Sequence, residues 1–80
     1  MNKVIDKLIE DYKLKGYNLK VVSETEKGIT FNLESNINGK NFTEDLEILK
    51  SFITFDHYDF IKNSFNYLIH NSLDRFLGGE

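Results

Sequence analysis

The fold is decided by residues 29–48, which read ITFNLESNINGKNFTEDLEI. Apolar and polar residues alternate on both sides of Asn38-Gly39, and an Asn-Gly pair is a strong signal for a two-residue β-hairpin because both turn positions need a positive φ angle. With this turn, residues whose numbers sum to 77 lie opposite each other. One face of the hairpin then carries apolar pairs such as Phe31 with Leu46, and the other face is wholly polar. The pattern predicts an antiparallel sheet with one buried and one exposed face.

The residues before the hairpin predict a helix and a further strand. Apolar residues recur at spacings of three and four over residues 3–15, with Asn2 as the N-cap and Gly16 as the closing residue. From Tyr17 the period changes to two, which is typical of a strand. Residues 24–28 supply the turn that joins this strand to the hairpin.

The last third of the chain predicts a second helix over residues 57–77. Asp56 is expected to cap it, Phe55 and Phe60 occupy the two positions of a hydrophobic staple, and glycines 78–79 end it. The segment before it, residues 43–55, is ambiguous, because Thr43-Glu44-Asp45 also fits the cap of a short helix. We favour a strand to about residue 47, followed by an irregular or helical connector.

These elements predict a single α+β domain over residues 1–80. Its order is helix, three-stranded antiparallel meander, helix (αβββα), with both helices on one face of the sheet.

The composition limits the classes of function that this chain can have. The chain has 80 residues, a net charge of −3 and no Cys, so one small domain without disulfides or thiolate metal sites is expected. No apolar run approaches the roughly 20 residues of a membrane span, and the first residues lack the apolar core of a signal peptide. We therefore expect a cytoplasmic protein without membrane contact.

The abundance of Asn, Lys and Ile and the absence of Ala and Pro indicate an AT-rich genome, such as that of a low-GC bacterium or its phages.

Few side chains have a spacing that suggests catalysis or metal binding. His57 and His70 are the only histidines and neither belongs to a spaced ligand set, so no metal and no cofactor is expected. A set of Ser51, His57 and Asp59 lacks a strained nucleophile turn and an oxyanion hole, so we expect no enzyme. Double-stranded-RNA-binding domains share this order of elements, but carboxylates at the start of the second helix repel phosphates, which argues against direct nucleic-acid binding.

Two surface features remain as candidate binding sites. Residues 24–59 carry eight acidic residues against three lysines. A basic partner protein fits such a surface, and a solvated face that keeps the chain soluble is the alternative interpretation. The second feature is Phe60 with Tyr67, which a helical projection places opposite the core stripe of the last helix. The acids expected on the first turn or the polar sheet face are Glu24, Glu26, Glu34, Asp45 and Glu47.

The order of features resembles the small type II-A anti-CRISPR proteins, which inhibit the RNA-guided nuclease of type II CRISPR systems. The resemblance lies in an N-terminal helix from Met1-Asn2 through Leu8 and Ile9, the segment Tyr17-Asn18-Leu19-Lys20-Val21, a polar turn before Ile29-Thr30, the Asn38-Gly39 hairpin with acidic residues after it, and a C-terminal helical part. It covers most of the chain. Members of that family are acidic and occupy a basic DNA-binding surface of the nuclease as partial DNA mimics. The resemblance therefore implies acidic contacts at Glu24, Glu26, Glu34, Glu44, Asp45 and Glu47.

The sequence thus favours a small acidic, non-enzymatic binding protein, encoded by a phage or mobile element, that inhibits or modulates a host or defence protein by occluding one of its surfaces. The expected partner is a basic nucleic-acid-binding protein such as a CRISPR effector nuclease. The alternative is a structural or assembly module, acting as a homodimer or as a subunit of a larger complex through Phe60 and Tyr67.

Overall fold

Two helices and three strands follow one another in the predicted order. The structure, a computed structural model, describes the backbone of residues 2–77 and the side chains of residues 2–75. Its elements are helix α1 (Lys3–Leu14), strands β1 (Asn18–Glu24), β2 (Gly28–Ile37) and β3 (Lys40–Leu49), two single 3₁₀ turns (Lys50–Phe52 and Phe55–His57), and helix α2 (Tyr58–Leu77). The strands form an antiparallel sheet in the order β1-β2-β3. The α+β class and the αβββα order are confirmed.

The hairpin has the predicted turn and register. The φ angles are 53° at Asn38 and 81° at Gly39, as a two-residue type I′ turn requires. Strands β2 and β3 pair continuously from Ile37 with Lys40 onward, and the numbers of each pair sum to 77. The turn therefore fixes which side chains of the hairpin share a face.

Strand β1 pairs with β2 less regularly. Val21 lies opposite Phe31, a bulge at Val22 then shifts the register, and Glu24 lies opposite Ile29. Val21 shares the helix side of the sheet with Phe31, but at the sheet edge it keeps 41% of its surface exposed.

Both helices lie on the apolar face of the sheet, as predicted. Helix α1 packs mainly along β1 and helix α2 along β3. The ring of Phe65 meets the rings of Tyr12 and Phe31 edge-on, with centroids 5.5 Å apart in both pairs. One side chain of α2 thus contacts both α1 and the central strand. The buried core comprises Val4, Leu8, Tyr12, Leu19, Ile29, Phe31, Leu33, Phe42, Ile48, Ile53, Tyr58, Ile61, Phe65 and Ile69.

Helix α1 begins at its predicted cap. The Asn2 side-chain oxygen accepts hydrogen bonds from the backbone N–H groups of Val4 at 2.8 Å and Ile5 at 3.3 Å. The helix ends at Leu14, and Gly16 follows with a φ angle of 90°.

The strand and the helical connector expected before α2 are confirmed, but the end of the strand and the cap of α2 differ from the prediction. Strand β3 continues to Leu49, two residues beyond the predicted end, so residues 43–45 belong to the sheet and not to a helix cap. Helix α2 begins at Tyr58, and Asp56 lies inside the preceding 3₁₀ turn instead of capping the helix. The predicted cap was wrong because the 3₁₀ turn begins after Thr54, so Asp56 is the second residue of that turn and does not occupy a cap position.

The predicted staple between Phe55 and Phe60 was also wrong. The ring of Phe60 lies 5.5 Å from that of Phe52, while Phe55 lies 6.3 Å from Tyr58. The 3₁₀ turns bring Phe52 back to the helix start, where it takes the predicted place of Phe55. The predicted helix stop at glycines 78–79 lies outside the described residues.

Candidate functional site

The exposed face of the sheet presents polar side chains from all three strands. Alternate residues of a strand point to the same face, and the register aligns the polar ones. We call the following set the polar face: Asn18, Lys20 and Ser23 of β1, Thr30, Asn32, Glu34 and Asn36 of β2, and Asn41, Thr43, Asp45 and Glu47 of β3. All are exposed or half-buried, because both helices lie on the other side of the sheet.

Carboxylates dominate the charge of the polar face. Glu34, Asp45 and Glu47 oppose a single lysine, Lys20, within that set. Among the described residues, no basic side-chain nitrogen lies within 4.0 Å of these three carboxylates. Asp45 and Glu47 are two residues apart on one strand, which separates their Cα atoms by about 7 Å. Unneutralised negative charges on a flat surface attract a cationic partner and raise its association rate.

A cross-strand hydrogen bond orients one of the three acids, and a second acid lies over the neighbouring strand. The side-chain amide of Asn32 donates to Thr43 Oγ1 at 2.9 Å and to Asp45 Oδ1 at 2.7 Å. Glu47 lies over Gly28, where an added Cβ atom would come 2.9 Å from its Oε2. The absent side chain of Gly28 thus leaves room for the Glu47 carboxylate on the sheet surface.

The other predicted acidic residues do not join this group. Glu24 was expected on the turn or the polar face, and that placement was wrong. The bulge in β1 turns Glu24 to the helix side, where its carboxylate lies 2.8 Å from Lys50 Nζ. Glu44 lies opposite Leu33 on the helix side and is half-buried. Glu26 is exposed in the turn between β1 and β2.

The predicted aromatic residues lie on the opposite side of the molecule. Phe60 is 54% exposed and Tyr67 is 70% exposed, so both face outward on α2 as predicted. Phe60 rests against Phe52, whose ring also meets His57 with centroids 5.2 Å apart. Because α2 packs on the apolar face of the sheet, its outer side and the polar face are separate surfaces. Glu34, Asp45 and Glu47 thus lie on a different surface from Phe60 and Tyr67.

Sequence reasoning missed an ionised cluster that joins the two helices. The Asp11 carboxylate accepts a hydrogen bond from the Tyr58 hydroxyl, and Lys7 Nζ lies 3.3 Å and Lys62 Nζ 3.9 Å from it. The Tyr58 hydrogen bond, followed by both lysines, lowers the pKa of Asp11 below its ordinary 3.8. Burial and the Asp11 carboxylate raise the pKa of Tyr58 above that of a free tyrosine. The cluster ties α1 to α2 and lies away from the polar face.

Tyr12 makes the second polar link between the helices. Its hydroxyl lies 3.1 Å from the Lys62 carbonyl oxygen and 2.9 Å from Asn66 Oδ1. Burial raises the pKa of Tyr12 to about 12, so the hydroxyl stays protonated and remains a donor at neutral pH. Both links are structural, since they hold the helices in place over the sheet.

The described side chains offer little for a metal or a small ligand. Within residues 2–75, no group of three or more His, Asp or Glu side chains is arranged to hold a metal ion. Two open grooves flank α1, one lined by Ile9, Lys13 and Tyr17 and one by Ile5 and the Glu24–Lys50 ion pair. In the described part of the chain, neither helix has the length and apolarity needed to cross a membrane.

Comparison with protein-family models, with curated proteins and with solved structures found no match to this chain.

Proposed function

We propose that the chain is a small non-enzymatic binding protein that covers a basic surface of a partner protein with its polar face. The observation that carries this proposal is the group Glu34, Asp45 and Glu47, three carboxylates that no described cation neutralises on an uncovered sheet. Charged groups left unpaired on a rigid surface are available to a partner at no cost of breaking internal ion pairs.

The proposed mechanism is occlusion. Asp45 is oriented by Asn32, so little side-chain entropy is lost when it contacts a lysine or arginine. A protein that presents ordered carboxylates competes with nucleic acid for a phosphate-binding surface, because both present fixed negative charge. The same charge repels phosphates, so the chain itself does not bind nucleic acid.

The resemblance to the type II-A anti-CRISPR proteins supports one class of partner, a basic nucleic-acid-binding protein such as a CRISPR effector nuclease. The composition supports a phage or mobile element as the source and the bacterial cytoplasm as the location. On this proposal the chain inhibits its partner by contact and needs no cofactor.

The test compares three immobilised baits in lysate from a low-GC bacterium. They are the wild-type chain, the variant Glu34→Lys with Glu47→Lys, and the control Glu10→Lys with Asp74→Lys. The control changes the net charge equally at two exposed helix positions. Asp45 is left unchanged because it holds a cross-strand hydrogen bond. A partner retained by the wild type and the control at low salt, and lost from the polar-face variant, supports the proposal. Equal retention on all three baits contradicts it.

A second candidate function is an assembly module that pairs through the outer side of α2. The supporting observation is that Tyr67 keeps 70% of its surface exposed, on the side of α2 that faces away from the core. A mass that falls from dimer to monomer on dilution, and a dimer abolished by Tyr67→Lys, would favour this function. A monomer at every concentration would exclude self-association.

A further inference from the structure

The outer edge of β3 is a long strand edge without a partner strand. The sheet order places β2 on one side of β3, and no other strand of the described residues lies on its other side. β3 pairs with β2 over ten residues without a register shift. An edge of this kind carries a row of unpaired N–H and C=O groups that can accept another extended chain.

The hairpin register identifies the backbone groups that point outward. The Lys50 N–H donates to the Lys27 carbonyl at 2.8 Å, so this pair is a hydrogen-bonded one. Hydrogen-bonded pairs alternate along an antiparallel ladder, so even-numbered residues of β3 bond to β2 and odd-numbered ones face outward. The outward groups belong to Asn41, Thr43, Asp45, Glu47 and Leu49, and all five residues are exposed.

The two edges of the sheet differ in how they are protected. A bulge at Val22 interrupts β1, and bulges are a common way to block pairing at an edge. β3 has neither a bulge nor a proline, and its central residues 44–47 carry three carboxylates. An antiparallel second copy centred on Asp45 would set this carboxylate against its own equivalent, and like charges directly opposite are destabilising. This register is therefore disfavoured for a second copy, whereas the carboxylates of the edge fit a cationic strand.

We propose that the edge of β3 binds an extended segment of the basic partner protein, which adds to the sheet as a fourth, antiparallel strand. The inference rests on the proposed function for the charge of that partner. Backbone hydrogen bonds to the outward groups of Thr43, Asp45 and Glu47 supply affinity, and the carboxylates select the sequence. The segment carries Lys or Arg at alternate positions, opposite Asp45 and Glu47, with apolar residues between them beside Leu46 on the helix side.

The probe is a synthetic peptide of about eight residues in which lysine alternates with valine and threonine, the length of a common strand. Its control is the same peptide methylated on the backbone nitrogens of its lysines, which keeps the charge and removes the donors that would face β3. Amide hydrogen exchange of the full chain, measured by NMR, is the readout. In the free chain we expect the amides of Thr43, Asp45 and Glu47 to exchange quickly and those of Glu44 and Leu46 slowly.

A second pair of variants tests the edge from the protein side. Thr43→Pro removes an outward N–H without breaking the ladder to β2, since proline is tolerated at such edge positions. Thr43→Val is the matched control, because it also lacks the hydroxyl that Asn32 contacts but keeps the N–H. We expect the proline variant to bind the peptide about tenfold more weakly than the valine variant, which corresponds to the loss of one to two backbone hydrogen bonds.

The outcomes of these experiments decide whether a strand adds to the edge of β3. Slowed exchange at Thr43, Asp45 and Glu47 with the unmodified peptide only, together with weaker binding to the proline variant, supports the proposal. If the methylated peptide binds as tightly as the unmodified one, and if Glu34→Lys with Glu47→Lys weakens the binding of both, the strand-addition proposal is overturned and the proposed function stands. A neutral peptide of alternating glutamine and valine that binds as tightly as the basic one overturns the proposed partner chemistry. If the proline variant does not fold, the two peptides give the answer alone.

Discussion

Replacement of Phe65 by alanine is the sharpest test of how the two helices share one core. Phe65 is fully buried and contacts Tyr12 of α1 and Phe31 of β2 edge-on. A phenylalanine of this kind buries roughly 150–250 Å², which at about 25 cal/mol per Å² corresponds to about 4–6 kcal/mol. Measured losses for buried Phe→Ala substitutions are about 3–5 kcal/mol. We therefore expect Phe65→Ala to lower the free energy of unfolding by about 4 kcal/mol.

Urea unfolding followed by circular dichroism measures this loss. With a slope of about 1 kcal/mol per M for a chain of this size, the unfolding midpoint falls by about 4 M. The control is Tyr67→Ala, two residues away on the same helix and 70% exposed, which should change the free energy of unfolding by less than about 0.5 kcal/mol. If Phe65→Ala does not fold, Phe65→Leu gives a smaller loss of the same sign. A loss below about 1 kcal/mol for Phe65→Ala would refute the shared core.

Other substitutions test individual elements, each by thermal or denaturant unfolding. Gly39→Ala forces a Cβ atom into backbone at φ 81° and should destabilise by about 1–2 kcal/mol, and an unchanged midpoint would contradict the type I′ turn. Asn2→Ala removes the cap of α1 and should destabilise by about 0.5–2 kcal/mol, with Asn2→Ser restoring most of the loss. Ser72→Ala should be neutral or stabilising, because Ser72 Oγ is buried without a hydrogen-bond partner among the described residues. The lowered pKa of Asp11 means that its ionised form stabilises the folded chain above pH 3.8 and that this contribution is lost as the pH falls through the folded-state pKa. Asp11→Asn should therefore flatten the fall in stability below pH 3.8, and identical pH profiles would contradict the proposed role.

Local signals in the sequence were sufficient to predict the hairpin. Asn38-Gly39 fixes the turn, the turn fixes the register, and the register places Glu34 and Asp45 on the same face. For this reason the acidic group of the polar face could be predicted before the structure. The outward positions of Phe60 and Tyr67 were also predictable, because helical periodicity alone determines them.

Long-range pairing explains what the sequence did not predict. The bulge at Val22 has no signature in the residues around it, and a shift of one residue turns Glu24 to the other face. Residues 43–45 also resemble a helix cap locally, so the sequence only favoured a strand there, and the pairing with β2 is what holds them in it. The bond between Asp11 and Tyr58 joins residues 47 positions apart, so no local spacing reveals it.

The proposed function depends on binding between the carboxylates of the polar face and a basic protein surface. The most direct measurement is the association rate constant of the captured partner as a function of ionic strength, for the wild type and for Glu34→Lys with Glu47→Lys. We expect a rate that falls steeply with added salt for the wild type and a slower, nearly salt-independent rate for the variant. The same rate and the same salt dependence for both chains would contradict it.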